Sequence, residues 1–274
     1  KPYPILFIFL LTGIAFPVGA QKDTLSGKTP CTLPDAGFLR SCLTDTRDNL
    51  VSPARWNQKE WIVFTGAIGG TVLCFTVDSR IREAVQRNNR PFLQDVARYG
   101  LEPWGSGLYT LPALGILYGA GALTGDSKAK YTALKGTEAF LFGAVAAQVL
   151  NQLTHRHHPS QDNPPDAGRW GGPFQKTLDS SFPSGHATMV FAVAAVVATS
   201  YKNTVWVPVA CYSLAGLTAI SRVYQDRHWL SDVFAGSILG FAIGKTLINN
   251  QIKRLEILPV SHTGSGIMLV YRIG

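Results

Sequence analysis

Ser184, Gly185 and His186 stand together at the mouth of an apolar run, residues 187–199, and Arg222, His228 and Asp232 gather ahead of a second one. The first N–H groups of a helix have no partner within it and sit at the positive end of its dipole. A helix opening at Ser184 therefore offers an oxyanion a seat. Serine is a favoured N-cap, and Gly185 lets a ligand approach the backbone closely. If His228 and Asp232 share a helix, their i,i+4 spacing puts them on one face. Asp232 is then expected to hold one imidazole nitrogen while the other attacks. Arg222 brings the planar fork that suits phosphate. A His-x3-Asp pair alone is most often a surface pair, and Ser-Gly alone is most often a helix start. Their joint presence with His186 and Arg222 points to an anion site with nucleophilic chemistry.

The run P-S-G-H at 183–186, followed by S-R-x5-H-x3-D at 221–232, resembles the superfamily of type 2 phosphatidic acid phosphatases, bacterial non-specific acid phosphatases and vanadium haloperoxidases. The likeness covers residues 108–248, and towards exported bacterial members it extends upstream to residue 51. It implies a phosphatase acting on a phosphate monoester or diphosphate, of a lipid above all, through a phosphohistidine on His228. His186 would protonate the leaving oxygen and later activate water, and Asp232 would orient His228. Arg222, Ser184 and Gly185 would hold the phosphate oxygens. The scheme requires no metal and no cofactor. The superfamily pattern also has K-x6-R-P upstream, where this chain carries Asn151 and His158 before Pro159. Arg156 and His158 are the expected substitutes, His158 most strongly when protonated. Two other readings use the same residues. A vanadate-dependent haloperoxidase would bind its oxo-anion through His228, although the missing lysine removes a cation from that site. A degenerate member would bind a phosphorylated lipid without turnover. The histidines at 155, 157 and 158, with Asp162 or Asp166, are a weaker candidate for a metal.

Such a site needs helices to hold it. The chain is 46% hydrophobic and 15% charged, against about 25% charged in soluble domains. Its net charge of +8 forms no basic run, which leaves nucleic-acid binding without support. Apolar runs at 61–77, 105–125, 139–153, 187–201, 203–221 and 233–244 predict an all-α, membrane-associated bundle of about six core helices. Residues 78–102 read as an exposed helix and loop. Of the runs, 105–125 and 203–221 reach the length of a membrane span, whereas 139–153 and 233–244 fall short. Small residues (Gly115, Gly119, Gly121; Ala192, Ala194, Ala195) favour close helix–helix approach. Trp61, Trp104, Trp206 and Trp229 near the run ends suit either interfacial anchors or core packing.

The expected organisation is a signal peptide at 1–20, a polar segment at 21–60, the bundle at 61–250 and a tail at 251–274 with a short hairpin around Gly264 and Gly266. Val18-Gly-Ala20 predicts Gln21 as the mature N-terminus. The partners expected are a phosphorylated lipid or small phosphate ester and the membrane, in a bacterial envelope. There Cys31 and Cys42 would be free to pair, while Cys74 and Cys211 fall in apolar runs as buried thiols.

Overall fold

The structure, a computed structural model, describes residues 36–51, 54, 56–173, 175 and 179–257. The expected signal peptide, the Cys31–Cys42 pairing and the C-terminal hairpin lie outside the described residues. In chain order the elements are α1 (Ala36–Val51), α2 (Gln58–Arg87), short α3 (Pro91–Asp95) and α4 (Glu102–Gly105) joined by a π-helical turn (Val96–Leu101), α5 (Thr110–Thr124), α6 (Ser127–Thr154), α7 (Gly185–Ser200), α8 (Trp206–Tyr224) and α9 (Leu230–Ile257). The fold is all-α, as expected, and the described residues contain an isolated bridge between Arg156 and Trp170 but no strand.

Local chemistry sets the helix ends. Asn57 caps α2, its side chain accepting from the Lys59 and Glu60 N–H groups while Glu60 reaches back to the Asn57 N–H. Asp126 caps α6 through the N–H groups of Lys128 and Ala129, and α5 stops at Gly125 with φ of 73°. Proline opens both α3 and α4, positions where its missing N–H costs nothing.

Helix α7 is the axis around which α9, α6 and α8 pack. Its Ala187, Ala192, Ala195 and Val196 are wholly buried. The tightest seam is on α9, where Gly236, Gly240 and Gly244 recur every fourth residue and so share one face. A Cβ at Gly240 would overlap the Thr188 carbonyl, and one at Gly236 would come within 2.5 Å of the Ser184 carbonyl. The small residues singled out on α5 behave differently. Gly115 and Gly119 face open space, and Gly121 alone of the three is crowded, by the start of α6.

Among the described residues four helices are long and apolar enough to cross a membrane: α2, α6, α8 and Leu230–Asn249 of α9. The segments from α3 to α5 form a pair bent by 55°. Two expectations are thereby corrected. The runs 139–153 and 233–244 belong to longer helices, and 105–125 is broken. Polar residues hid the true extent of α6, because the Lys135 ammonium is buried between the carboxylates of Asp45 and Glu138, each at 2.6 Å. That pairing also ties α1 to the bundle. Outward faces carry exposed apolar side chains, among them Ile62, Val63 and Leu73 on α2, as membrane association requires. Trp229 is buried and donates to the His157 carbonyl at 2.9 Å, whereas Trp206 at the start of α8 is 79% exposed.

Candidate functional site

Ser184 caps α7, with its Oγ accepting from the Ala187 N–H and its own N–H donating to the Asp232 carbonyl at 3.0 Å. The opening of α7 is thus fastened to the first turn of α9. A Cβ on Gly185 would meet only the Met189 methyl, at 3.9 Å. The flank of Gly185 is therefore open.

His228 lies in the turn ahead of α9, so the expected shared helix face does not form. Its Nδ1–H donates to the Ser181 carbonyl at 2.9 Å, while the nearest Asp232 oxygen is 3.8 Å away. That separation is too long for a hydrogen bond and leaves Asp232 acting by charge. Asp232 is committed elsewhere, accepting from the Trp229 N–H, the Ser181 hydroxyl and the Arg156 guanidinium. A carboxylate in the first turn of a helix satisfies N–H groups that have no other partner. With Nδ1 carrying the proton, the His228 Nε2 keeps its lone pair. Burial foremost, with His158 and Arg222 nearby, holds His228 below its ordinary value against the opposing pull of Asp232.

Arg222 ends α8, 8% exposed, with Nη1 on the Gln225 side chain at 2.6 Å. Its Nε is buried with no hydrogen-bond partner among the described residues. A buried guanidinium with a donor unspent is costly unless an anion arrives to take it. His186, on the first turn of α7, is pushed down to about 4 by burial and then by Arg222.

Glu102 is a member that the sequence reasoning missed, having placed residues 78–102 on an exposed helix and loop. Its Oε1 meets the His186 Nε2 at 2.9 Å. The π turn before α4 aims it inward, and the Thr218 hydroxyl holds the Leu101 carbonyl at 3.2 Å. Gly105 lets α4 close on the ring, since a Cβ there would lie 2.7 Å from that of His186. The available signal was a lone acid beside a helix-opening proline, which is weak.

The substituted first motif takes a form of its own. His158 presents Nδ1 to the Arg227 carbonyl at 2.5 Å and Nε2 to the Asp179 carboxylate at 3.0 Å. Both ring nitrogens are thus taken by protein acceptors, and the expectation that His158 donates to phosphate is corrected. Its ring meets that of His228 edge-on at 5.2 Å. Asn151, with its amide nitrogen turned toward the loop, donates to the Phe182 carbonyl at 2.7 Å. It ties down the segment before Ser184. The expectation for Arg156 is corrected. Every N–H of its guanidinium is engaged, with Asp232, Asp78, Ser231 and the Ala167 carbonyl, and the side chain is fully buried. It backs Asp232 and has no donor left for phosphate. The neighbouring histidines also part company, with His157 on Asp162 at 3.1 Å and His155 buried. Among the described residues no group of three or more His, Cys, Asp or Glu side chains could hold a metal ion.

The structure therefore brings His228, His186, Arg222, His158 and the Ser184–Gly185 N-terminus to one end of the bundle, adds Glu102, and sets Arg156 behind them. The model of the PAP2 superfamily matches residues 133–255. A lipid A 1-phosphatase of Porphyromonas gingivalis is 40% identical over 70 residues, 25% of this chain and 16% of that protein. The bacitracin transport permease protein BcrC of Bacillus licheniformis is 25% identical over 118 residues, 43% of this chain and 55% of that protein. Neither match reaches two thirds of the relative's length. A transmembrane PAP2-type phosphatidylglycerolphosphate phosphatase from Bacillus subtilis superposes with a TM-score of 0.54 at 21% identity, over 69% of this chain and 96% of that one, a likeness of fold.

Proposed function

For a chain that carries a PAP2 superfamily domain over residues 133–255, we propose a phosphatase that removes phosphate from a phosphorylated lipid through a phosphohistidine. The observation that carries this reading is the pairing of a bare His228 Nε2 with a buried Arg222 whose Nε has no partner among the described residues. The phosphoryl group would sit between Arg222 and the α7 N-terminus, where N–H groups and the Ser184 hydroxyl stabilise its oxygens. His228 Nε2 attacks phosphorus, the phosphorus–oxygen bond to the leaving group breaks, and His186 gives that oxygen its proton. Water, deprotonated by His186, then releases phosphate from His228. The name of the Porphyromonas gingivalis relative, a lipid A 1-phosphatase, favours a lipid phosphate as substrate. Turnover in detergent micelles against a phosphatidate, a polyprenyl diphosphate, lipid A and a soluble monoester tests it, together with acid-labile, alkali-stable label on His228. Absence of phosphate release from all four would overturn it, and halide oxidation with added vanadate would put the haloperoxidase in its place.

The pH dependence follows from the histidines. His228 attacks only when neutral, and its lowered pKa keeps it neutral into mildly acidic solution. His186 donates only when protonated, and its depression to about 4 is opposed by a bound phosphate dianion. The expected kcat/KM optimum therefore lies below about 6.5, the ordinary value for histidine. His158→Arg would install a cation that pH does not remove. Its expected effect is phosphate affinity raised by one to two orders of magnitude, since a charged hydrogen bond is worth about 1.5–3 kcal/mol, with the acid limb of the rate profile moved down because a fixed cation further opposes protonation of His228. Asn151→Lys would not add to this, because it surrenders the Phe182 carbonyl.

Glu102 raises the proton affinity of His186 through its charge and hydrogen bond. Glu102→Gln is expected to lower kcat about tenfold to a hundredfold, in the lower range of acid–base contributions. Without that charge the alkaline limb of the rate profile should move to lower pH. An unmoved limb would show that the carboxylate does not act on His186.

A further inference from the structure

Helix α2 lies outside the residues that match the superfamily, yet it sends one carboxylate under the site. Asp78, 1% exposed, accepts from the Arg156 Nη2 at 2.8 Å, the Ser231 hydroxyl at 2.5 Å and the Ser231 N–H at 2.9 Å. Arg156 thus stands between two carboxylates, with Nη1 on Asp232 and on the Ser231 hydroxyl at 2.7 Å. The rings of Phe75, Trp170 and Trp229 cover its guanidinium at 4.7, 5.1 and 5.4 Å. The side chains of Asp78, Arg156 and Asp232 have no exposure at all. Water does not screen charges held this way, so a change in one is felt by its neighbours.

We propose that Asp78 and Arg156 are positioning residues for His228, acting through Asp232, so that α2 is part of the working site. Two carboxylates around one guanidinium leave one net negative charge beside His228. Asp78 balances Arg156, and Asp232 thereby keeps its charge for the imidazole instead of yielding it to the arginine. Ser231 fixes the geometry, donating to one carboxylate while accepting from the guanidinium between them. The assignment of kinetic consequences rests on His228 being the nucleophile, whereas the electrostatic coupling does not.

The other groups facing His228 are Arg222 from α8, His158 from the loop after α6, and His186 from α7 with Glu102 behind it. None is altered in the test. The full chain, labelled with 15N-histidine in detergent micelles, contains six histidines, and His228 is assigned by difference from His228→Gln. Asp78→Asn leaves the arginine uncompensated, and the His228 midpoint is expected to fall by about one unit. Arg156→Gln leaves two carboxylates, and the midpoint is expected to rise. The double variant restores the net charge and should titrate near wild type, the mark of a coupled pair. In parallel, the acid limb of kcat/KM should move down in Asp78→Asn with kcat reduced about tenfold and KM unchanged. A purely structural role would lower stability and leave the two single variants without opposite shifts, which overturns the inference. Should Asp78→Asn not fold, Ser231→Ala keeps both charges and is expected to lower kcat at constant KM; unchanged kcat overturns the proposal. A wild type that releases no phosphate while the opposite shifts appear would refute the phosphatase reading alone.

Discussion

His228→Ala is expected to remove phosphate release by at least about four orders of magnitude, since loss of a nucleophile leaves only binding and electrostatic terms. The helix starts and the Arg222 pocket survive the substitution, because His228 contributes one hydrogen bond, to the Ser181 carbonyl, and its ring. Affinity for inorganic phosphate or vanadate should therefore change far less than turnover. His186→Ala should cost about two to four orders of magnitude, the usual share of a general acid. Its deficit should shrink with substrates whose leaving group needs no proton, such as a nitrophenyl phosphate. His228→Ala gains nothing from such a substrate, and that contrast separates the two roles. Normal turnover in either variant, measured as phosphate release in micelles, would refute the assignment.

The largest structural effect is expected at Gly240. A methyl group there meets the Thr188 carbonyl and the Ala192 nitrogen, which are backbone atoms of α7 that no rotamer change can move aside. Overpacking costs about 1–3 kcal/mol where side chains can adjust, and Gly240→Ala should reach or exceed the top of that range. Gly115→Ala is the matching control, since nothing lies within 4 Å of the added carbon. It removes a helix-interior glycine, which is worth up to about 1 kcal/mol in the opposite direction. Thermal unfolding in detergent should show a lowered midpoint for Gly240→Ala and an unchanged or raised one for Gly115→Ala. Equal midpoints would mean that α7 and α9 are not in backbone contact.

How far the sequence could be read depends on where each signal resides. Ser184, His186, Arg222, His228 and Asp232 were legible because short spacing and residue type carry their chemistry together. The all-α class followed from long apolar runs. Helix limits were not legible where buried charges interrupt hydrophobicity, as at Lys135, whose carboxylate partners come from α1 and from its own helix. Arg156 was misread for a related reason. A cation near a phosphate motif looks available until its neighbours are known, and Asp78 lies 78 residues away in sequence. Glu102 was hidden for the same reason, as it meets His186 across 84 residues. Asp232 opens α9 while His228 stands outside it, and the carboxylate bonds the Trp229 N–H, the Ser181 hydroxyl and Arg156 instead of the imidazole.

The glycine face of α9 bears on how such a site changes over time. Gly236 lies against the Ser184 carbonyl, so main-chain atoms help set the distance from the His228 turn to the α7 N-terminus. Substitution of surrounding side chains does not touch that spacing. On the opposite flank, Asn151 and His158 brace the loop segments at the end of α6, Asn151 on the Phe182 carbonyl and His158 on the Arg227 carbonyl and Asp179. An amide and an imidazole at these two positions therefore leave the α7–α9 spacing as the glycine face sets it. The seam fixes distance, and the loop flank is left to set charge.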